Sequence, residues 1–289
     1  MTDLSAIETA ISDNQVSRII HTAAILPPTS EEDPSRGCDV NIGGTNNIFD
    51  AASRLGVKRV VYPSSIAVYG DQSDHGETVL NEESPRFSFS LYGVAKQAKE
   101  LAACAYLANT ELDSRGLRIC TVFGHGRVTG RNAAASAMIS ALAIGEPYVS
   151  PVIASQTSAY IYVEDVAKCL IRLAFATRPE RDVYCVPTHR VSLGKIAEKL
   201  RAILPDAEIA FAPDAAGFEQ INRLDGTRLK RDLGYTPPSL DDRIRHQIDV
   251  ARRKAPTTAT ALVLIPQRPS PPAHDIARDA DPTRRHRHA

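Results

Sequence analysis

Short β-branched runs alternate with helical stretches along most of this chain, and that alternation limits the fold more than any other feature. Arg18-Ile19-Ile20-His21 reads as a short buried strand running into Thr22-Ala23-Ala24. Asn41 to Leu55 carries helical apolar spacing and stops at Gly56, a residue suited to the left-handed turn that ends helices. Arg59-Val60-Val61-Tyr62 is again a buried strand, Tyr92 to Ala108 is Ala-rich and helical, and Gly116 to Val122 is the next strand. Strands alternating with helices predict an α/β fold around a parallel sheet. The second half carries smaller pieces. Helices are predicted over Asn132–Ile144, Glu164–Ala176, Ser192–Ile203 and Ser239–Arg252, with strands at Tyr160–Val163, near Val183 and near Ile209. Shorter elements among loops predict a smaller substrate-binding lobe.

Composition excludes several classes. Lys plus Arg number 34 and Asp plus Glu also 34, so the formal charge is zero and nothing favours nucleic acid or anionic lipid as a partner. The five cysteines (Cys38, Cys104, Cys120, Cys169, Cys185) are scattered, and no Cys/His spacing suggests a metal. No stretch approaches membrane-spanning length and no charged, apolar leader opens the sequence, which predicts a cytoplasmic protein. After Ala255 the chain turns rich in Pro, Arg, His and Asp, and residues 256–289 are expected to form a disordered tail.

The chemistry is concentrated between residues 64 and 96. Tyr92 and Lys96 lie four apart, hence one turn apart on one helix face. There an ammonium lowers a phenol pKa that starts near 10, because a neighbouring positive charge favours the phenolate. Ser65, at the end of the Arg59–Tyr62 strand, offers a hydroxyl to hold the oxygen that the Tyr protonates or deprotonates.

In this order the residues resemble the extended short-chain dehydrogenase/reductases, the NAD-dependent epimerase/dehydratase family. His21-Thr22-Ala23-Ala24 is similar to the family's strand-four turn, and Asn41-Ile42-Gly43-Gly44-Thr45 to the opening of the next helix. Leu117 to Gly124, Tyr160 to Ala167 and Leu229 to Pro237 are similar to later landmarks. The resemblance implies a Rossmann-like doubly wound parallel sheet with a smaller C-terminal lobe. It implies Tyr92 as general acid/base, Lys96 as the residue that binds the nicotinamide ribose, and Ser65 as the hydrogen-bond donor to the reacting oxygen. Thr22, Ala23, Ala24, Asn41, Ser64, Tyr92, Lys96 and Cys120 are the implied contacts of NAD or NADP. A small-molecule substrate and a homodimer built on the Tyr/Lys helix follow from the same resemblance.

Departures from the family pattern narrow the expectation. Ile66 and Ala67 stand where dehydratases carry Asp-Glu, so dehydration is not expected. Ser158-Ala159 replaces an Arg-Asp pair whose Arg grips diphosphate, and Thr121 replaces an Asn. A dehydrogenase or reductase of a small hydroxy or oxo compound is therefore favoured, with a nucleotide-sugar epimerase as the alternative, for which Arg127 or Arg131 is the candidate to take over phosphate binding. The Gly-rich turn that opens such folds is absent, and Gly124-His125-Gly126 follows a late strand with the wrong spacing. Met1-Thr2-Asp3 is similar to the end of strand three, so about 60 residues, two βαβ units of roughly 30 each, are expected to be missing. The sequence thus reads as N-terminally truncated, with residues 1–124 a partial dinucleotide-binding domain and 125–255 an interleaved substrate lobe. It is expected to bind dinucleotide weakly or not at all, and an inactive remnant that acts as an interaction module is the third reading.

Overall fold

The computed structural model describes residues 1–255, which pack as one unit; the tail expected over 256–289 lies outside the described residues. The chain begins with α1 (Leu4–Asp13), β1 (Arg18–Ile20), the short turns α2 (Thr29–Glu32) and α3 (Pro34–Cys38), and α4 (Gly44–Arg54). Next come β2 (Arg59–Ser65), α5 (Leu91–Asn109), β3 (Asp113–Ile119) and β4 (Thr121–Phe123). The second half runs α6 (Ala134–Ala143), β5 (Tyr148–Val152), β6 (Thr157–Tyr162), α7 (Val163–Phe175), β7 (Val183–Cys185) and β8 (His189–Ser192). It closes with α8 (Leu193–Ile203), β9 (Ile209–Ala216), α9 (Thr227–Leu233) and α10 (Leu240–Lys254).

The main sheet has the order β1-β2-β3-β7, every neighbouring pair parallel. Side chains alternate across β2 and so feed two separate cores. Val60 and Tyr62 pack with Ile48, Phe49 and Ala103 of α4 and α5, whereas Val61 joins Leu117, Cys169, Leu170 and Leu173 on the α7 side. Helices on both faces of a parallel sheet are the doubly wound arrangement expected. Strand β1 is an edge among the described residues, with Ile20 37% exposed, so one row of its backbone groups has no sheet partner there.

The structure corrects the sequence reading in three places. The single strand expected over Gly116–Val122 is broken at Cys120: β3 stays in the main sheet, while β4 pairs with β6 in a second sheet of order β4-β6-β8. That break lets the chain leave the main sheet for the smaller lobe, whose core is Phe123, Tyr160 and Tyr162 against α6, α8 and α10. Met1-Thr2-Asp3 forms no strand; Asp3 instead caps α1, accepting from the Ala6 N–H at 3.0 Å. The helix expected from Asn41 begins as a π-turn over Asp39–Gly43 before α4. Strand β7 returns to the main sheet beside β3.

A buried ion pair joins α5 to β3. Glu100 and Arg118 are 2% and 4% exposed, and Arg118 donates through Nε (2.9 Å) and Nη2 (2.7 Å) to the two Glu100 oxygens. Removing one partner strands the other charge in the core, which costs about 3–5 kcal/mol. Arg118→Ala is expected to lose that much in urea unfolding, and Glu100→Gln less because the amide still accepts one hydrogen bond.

Candidate functional site

Strand β2 ends at Ser65, and a 3-10 turn (Ile66–Tyr69) follows in which the Ala67 N–H donates to Ser65 Oγ at 3.1 Å. Helix α5 starts opposite this turn, capped by Ser90, which accepts from the Gly93 N–H at 3.1 Å. Tyr92 thereby stands in the first turn of α5 with its phenol against the Ser65 hydroxyl. Lys96 follows one turn later, 3% exposed, its Nζ donating to the Pro63 carbonyl at 3.0 Å and lying 5.2 Å from the Tyr92 ring centre. The three expected catalytic residues are brought together.

Their electrostatics differ from the sequence expectation. Burial pushes the Tyr92 phenol up to about 12; the Ser65 hydroxyl and the Arg127 charge hold it down, while Glu31 raises it. The Lys96 ammonium lies over the Tyr92 ring and donates to the Pro63 carbonyl rather than to the phenol hydroxyl. Desolvation lowers Lys96 itself to about 8.

The residues expected to touch a cofactor fall into two groups. Thr22 is exposed and Ala23 and Ala24 half-buried in the turn after β1. The others are spoken for or enclosed. Both amide atoms of Asn41 bond to Ile25, accepting from its N–H at 2.8 Å and donating to its carbonyl at 2.9 Å, so Asn41 pins that turn against α4. Ser64 donates to Glu100 at 2.5 Å, and Cys120 is buried at the break between β3 and β4. Lys96 differs from these. An ammonium has three donors, one goes to Pro63, and two are unclaimed in a buried position among the described residues. That orphaned pair of donors fits ribose hydroxyls. No glycine-rich turn for a pyrophosphate occurs among the described residues.

Sequence reasoning missed three features. Gly93 lies so close to the turn after Ser65 that an added Cβ would meet the Ala67 carbonyl oxygen at 2.5 Å and Ser88 Oγ at 1.9 Å. No motif flags this, since the close approach comes from the fold. Lys99 is 3% exposed and has no hydrogen-bond partner among the described residues. The available signal was its spacing, three residues after Lys96 on the same inward face. His21 is buried too, and its Nε2 lies 3.1 Å from Thr45 Oγ1, which donates to the Asn41 carbonyl. The Thr45 hydroxyl proton is thus spent, and His21 must carry its proton on Nε2. Burial, then the charges of Lys99 and Lys96, lower His21 to about 3, so it is neutral near pH 7.

The profile of the NAD dependent epimerase/dehydratase family matches residues 1–186. An uncharacterized epimerase/dehydratase of Staphylococcus aureus strain MRSA252 is 25% identical over 220 residues, covering 74% of this chain and 67% of that protein. One from Staphylococcus haemolyticus is 27% identical over 248 residues, covering 82% and 76%. Among solved structures, the L-threonine dehydrogenase of Cupriavidus necator in its holo form aligns with a TM-score of 0.77 at 23% identity, covering 86% of this chain and 83% of that one. The UDP-glucose 4-epimerase of Thermus thermophilus in complex with NAD aligns at 0.74 and 23%, covering 87% and 82%. The fold is that of the Rossmann-like dehydrogenases and epimerases. The chain belongs to the NAD-dependent epimerase/dehydratase family.

Two outcomes follow for variants of this region. Gly93→Ala overpacks α5 against the Ala67 backbone, and a loss of about 1–3 kcal/mol in chemical unfolding is expected. Lys99 is lowered from an ordinary 10.5 to about 6, chiefly by burial and then by Lys96. Between those values the folded chain binds fewer protons at this site than the unfolded chain, so stability rises with pH across the window. Lys99→Met should stabilise most at or below about pH 6, with the gain shrinking toward pH 10.5. Urea midpoints of the variant and the parent at each end of that window check it.

Proposed function

We propose that this protein is an NAD(P)-dependent dehydrogenase or reductase acting on a hydroxyl or carbonyl of a small molecule at Ser65, Tyr92 and Lys96. The observation that carries this reading is the Tyr92 phenol against Ser65, with the underused Lys96 ammonium behind it. A nicotinamide dinucleotide, when bound, supplies the hydride acceptor or donor. The chain's own residues do the rest. Ser65 donates to the substrate oxygen and orients it toward Tyr92. In oxidation Tyr92 acts as the phenolate and takes the hydroxyl proton, and in reduction the phenol gives it back; a positioned acid/base of this kind contributes about 10²–10⁴ in rate. Lys96 would offer its two unclaimed N–H groups to the ribose hydroxyls of a bound dinucleotide. Bringing a second partner to the Lys96 ammonium also stabilises its charged form against the burial that lowers it.

The surroundings favour this reading over the related activities. Ile66 and Ala67, which follow Ser65, have no proton to transfer, so nothing at these positions supports loss of water. Ser158 and Ala159 are buried and uncharged, and give no grip on a diphosphate. The first feature tells against a dehydratase and the second against a nucleotide-sugar substrate.

Tyr92→Phe tests the assignment. Turnover of a panel of small secondary alcohols and hydroxy acids, followed by nicotinamide absorbance, is expected to fall by about 10²-fold or more. Dinucleotide affinity measured by calorimetry should remain within a few-fold of the parent. Undiminished turnover in the variant would remove Tyr92 from the chemistry.

A further inference from the structure

Among the described residues the buried arginines are paired with carboxylates: Arg59 with Asp113, Arg118 with Glu100, and Arg243 with Asp165. Arg127 is different. It is half-buried in the loop that follows β4, and no carboxylate of the described residues pairs with it. Its Nη1 donates to the Val122 carbonyl at 2.6 Å, which anchors the guanidinium and leaves most of its five donors unspent. Burial without a counter-charge lowers its pKa from the ordinary guanidinium value, and the groups that pull it back are the phenols of Tyr92 and Tyr160. Val122, which holds the guanidinium, follows Ile119 by three residues, and Ile119 is the register partner of Ser65 across β2 and β3, so Arg127 stands at the sheet end that carries Ser65.

The charge census there is short. Glu31 is the acid that acts on Tyr92, and its Oε1 accepts the Tyr92 N–H at 3.3 Å on the backbone side of the helix start. Beyond Arg127 the wall is neutral: Tyr160, then Ser158 accepting from Gln220 Nε2, and Thr121 donating to Gln220 Oε1 at 3.4 Å. Besides the Lys96 ammonium behind Tyr92, Arg127 is thus a second cation without a carboxylate partner among the described residues, and its own neighbours are neutral.

We propose that Arg127 binds the carboxylate of a small hydroxy acid, placing its carbinol carbon at Ser65 and Tyr92. A guanidinium fork matches a carboxylate with two parallel hydrogen bonds, so this contact fixes orientation as well as position. A single guanidinium, with Glu31 close to Tyr92, suits a monoanion better than a doubly charged phosphate ester. In oxidation the carbinol C–H leaves as hydride to an oxidised nicotinamide dinucleotide, the O–H proton goes to Tyr92 and on to solvent, and the product is the oxo acid. This assignment rests on the reading of Ser65 and Tyr92 given above.

Ligand-observed NMR on the full chain tests it, with 3-hydroxybutyrate, 3-hydroxybutyramide and glycerol 3-phosphate as probes. The acid is expected to bind at least about tenfold more tightly than the amide or the phosphate ester. Arg127→Gln should weaken the acid by about thirtyfold or more and leave the amide unchanged. Arg127→Lys should restore part of the loss, and an unchanged circular dichroism spectrum shows that the variants fold. Phenylglyoxal labelling of Arg127, read by peptide mass spectrometry, should be slowed by the acid and not by the amide. Equal binding of acid and amide, acid binding indifferent to Arg127→Gln, preference for the phosphate ester, or no binding of any probe would overturn the proposal. Arg127-dependent binding of the acid without hydride transfer to NAD or NADP would instead sustain the carboxylate site and sink the oxidoreductase reading. Hydride transfer on a neutral alcohol, with the acid ignored, would do the reverse.

Discussion

Glu100 is the residue on which the geometry of the site depends. It lies on α5 two turns beyond Tyr92 and is almost wholly enclosed, yet it carries a charge. Arg118 of β3 meets it with a two-pronged contact, Ser64 of β2 donates to it at 2.5 Å, and Arg86 reaches it at 3.2 Å from the loop before α5. Arg118 also donates to the Tyr69 hydroxyl at 2.8 Å and to the Glu82 carbonyl at 2.9 Å. One carboxylate thus ties together the helix that carries Tyr92, two sheet strands and the loop from 66 to 82. A buried ion pair gains little net stability over apolar packing, but it is exacting about register, because a slipped helix would leave charges unpaired. The result is that Tyr92 cannot slide along α5 relative to Ser65 without breaking the network.

Close packing completes what the ion pair begins. Gly93 allows the first turn of α5 to lie against the Ala67 carbonyl, and Gln97 donates to the Val68 carbonyl at 2.9 Å one turn later. The helix is thereby stitched along the turn that follows Ser65. On its inward face Tyr92, Lys96 and Lys99 follow one another. The two lysines sit in an environment hostile to charge: burial and the neighbouring Lys96 lower Lys99 to about 6, and burial lowers Lys96 to about 8. Such groups are costly to fold and are tolerated where a ligand gains from them. Lys96 has that use in the proposed chemistry. His21, held neutral beside them, adds no further positive charge to the cluster near pH 7.

The smaller lobe carries the proposed substrate contact. The break at Cys120 sends β4 into the second sheet, and the loop after β4 carries Arg127, anchored on the Val122 carbonyl. A strand running unbroken to Val122 would have kept that segment in the main sheet. The β6–α7 junction is fastened from beneath by Asp165, which accepts from Tyr235 and from Arg243 Nε at 2.8 Å. The junction that follows Tyr160 and Tyr162 is thus tied to α10 through Arg243.

Residue order is enough to settle the alternation of strands and helices, the helix that carries Tyr92 and Lys96, and the strand that ends at Ser65. These are local facts: side-chain period, β-branching and a cap decide them within a few residues. The same locality explains why Gly56 was legible, for its positive φ of 69° ends a helix whatever surrounds it. Only the folded chain divides one expected strand between two sheets at Cys120, sets Asp3 as a helix cap, and turns Asn41 and Ser64 toward protein groups. Folding likewise rests Lys96 over the Tyr92 ring rather than at its hydroxyl, and leaves Arg127 with no carboxylate among the described residues. Those outcomes depend on partners distant in the chain, such as Ser64 with Glu100 and Asn41 with Ile25. A side chain's hydrogen bonds and charge state are set by what the fold places around it, and residue order cannot specify that until the sheet has formed.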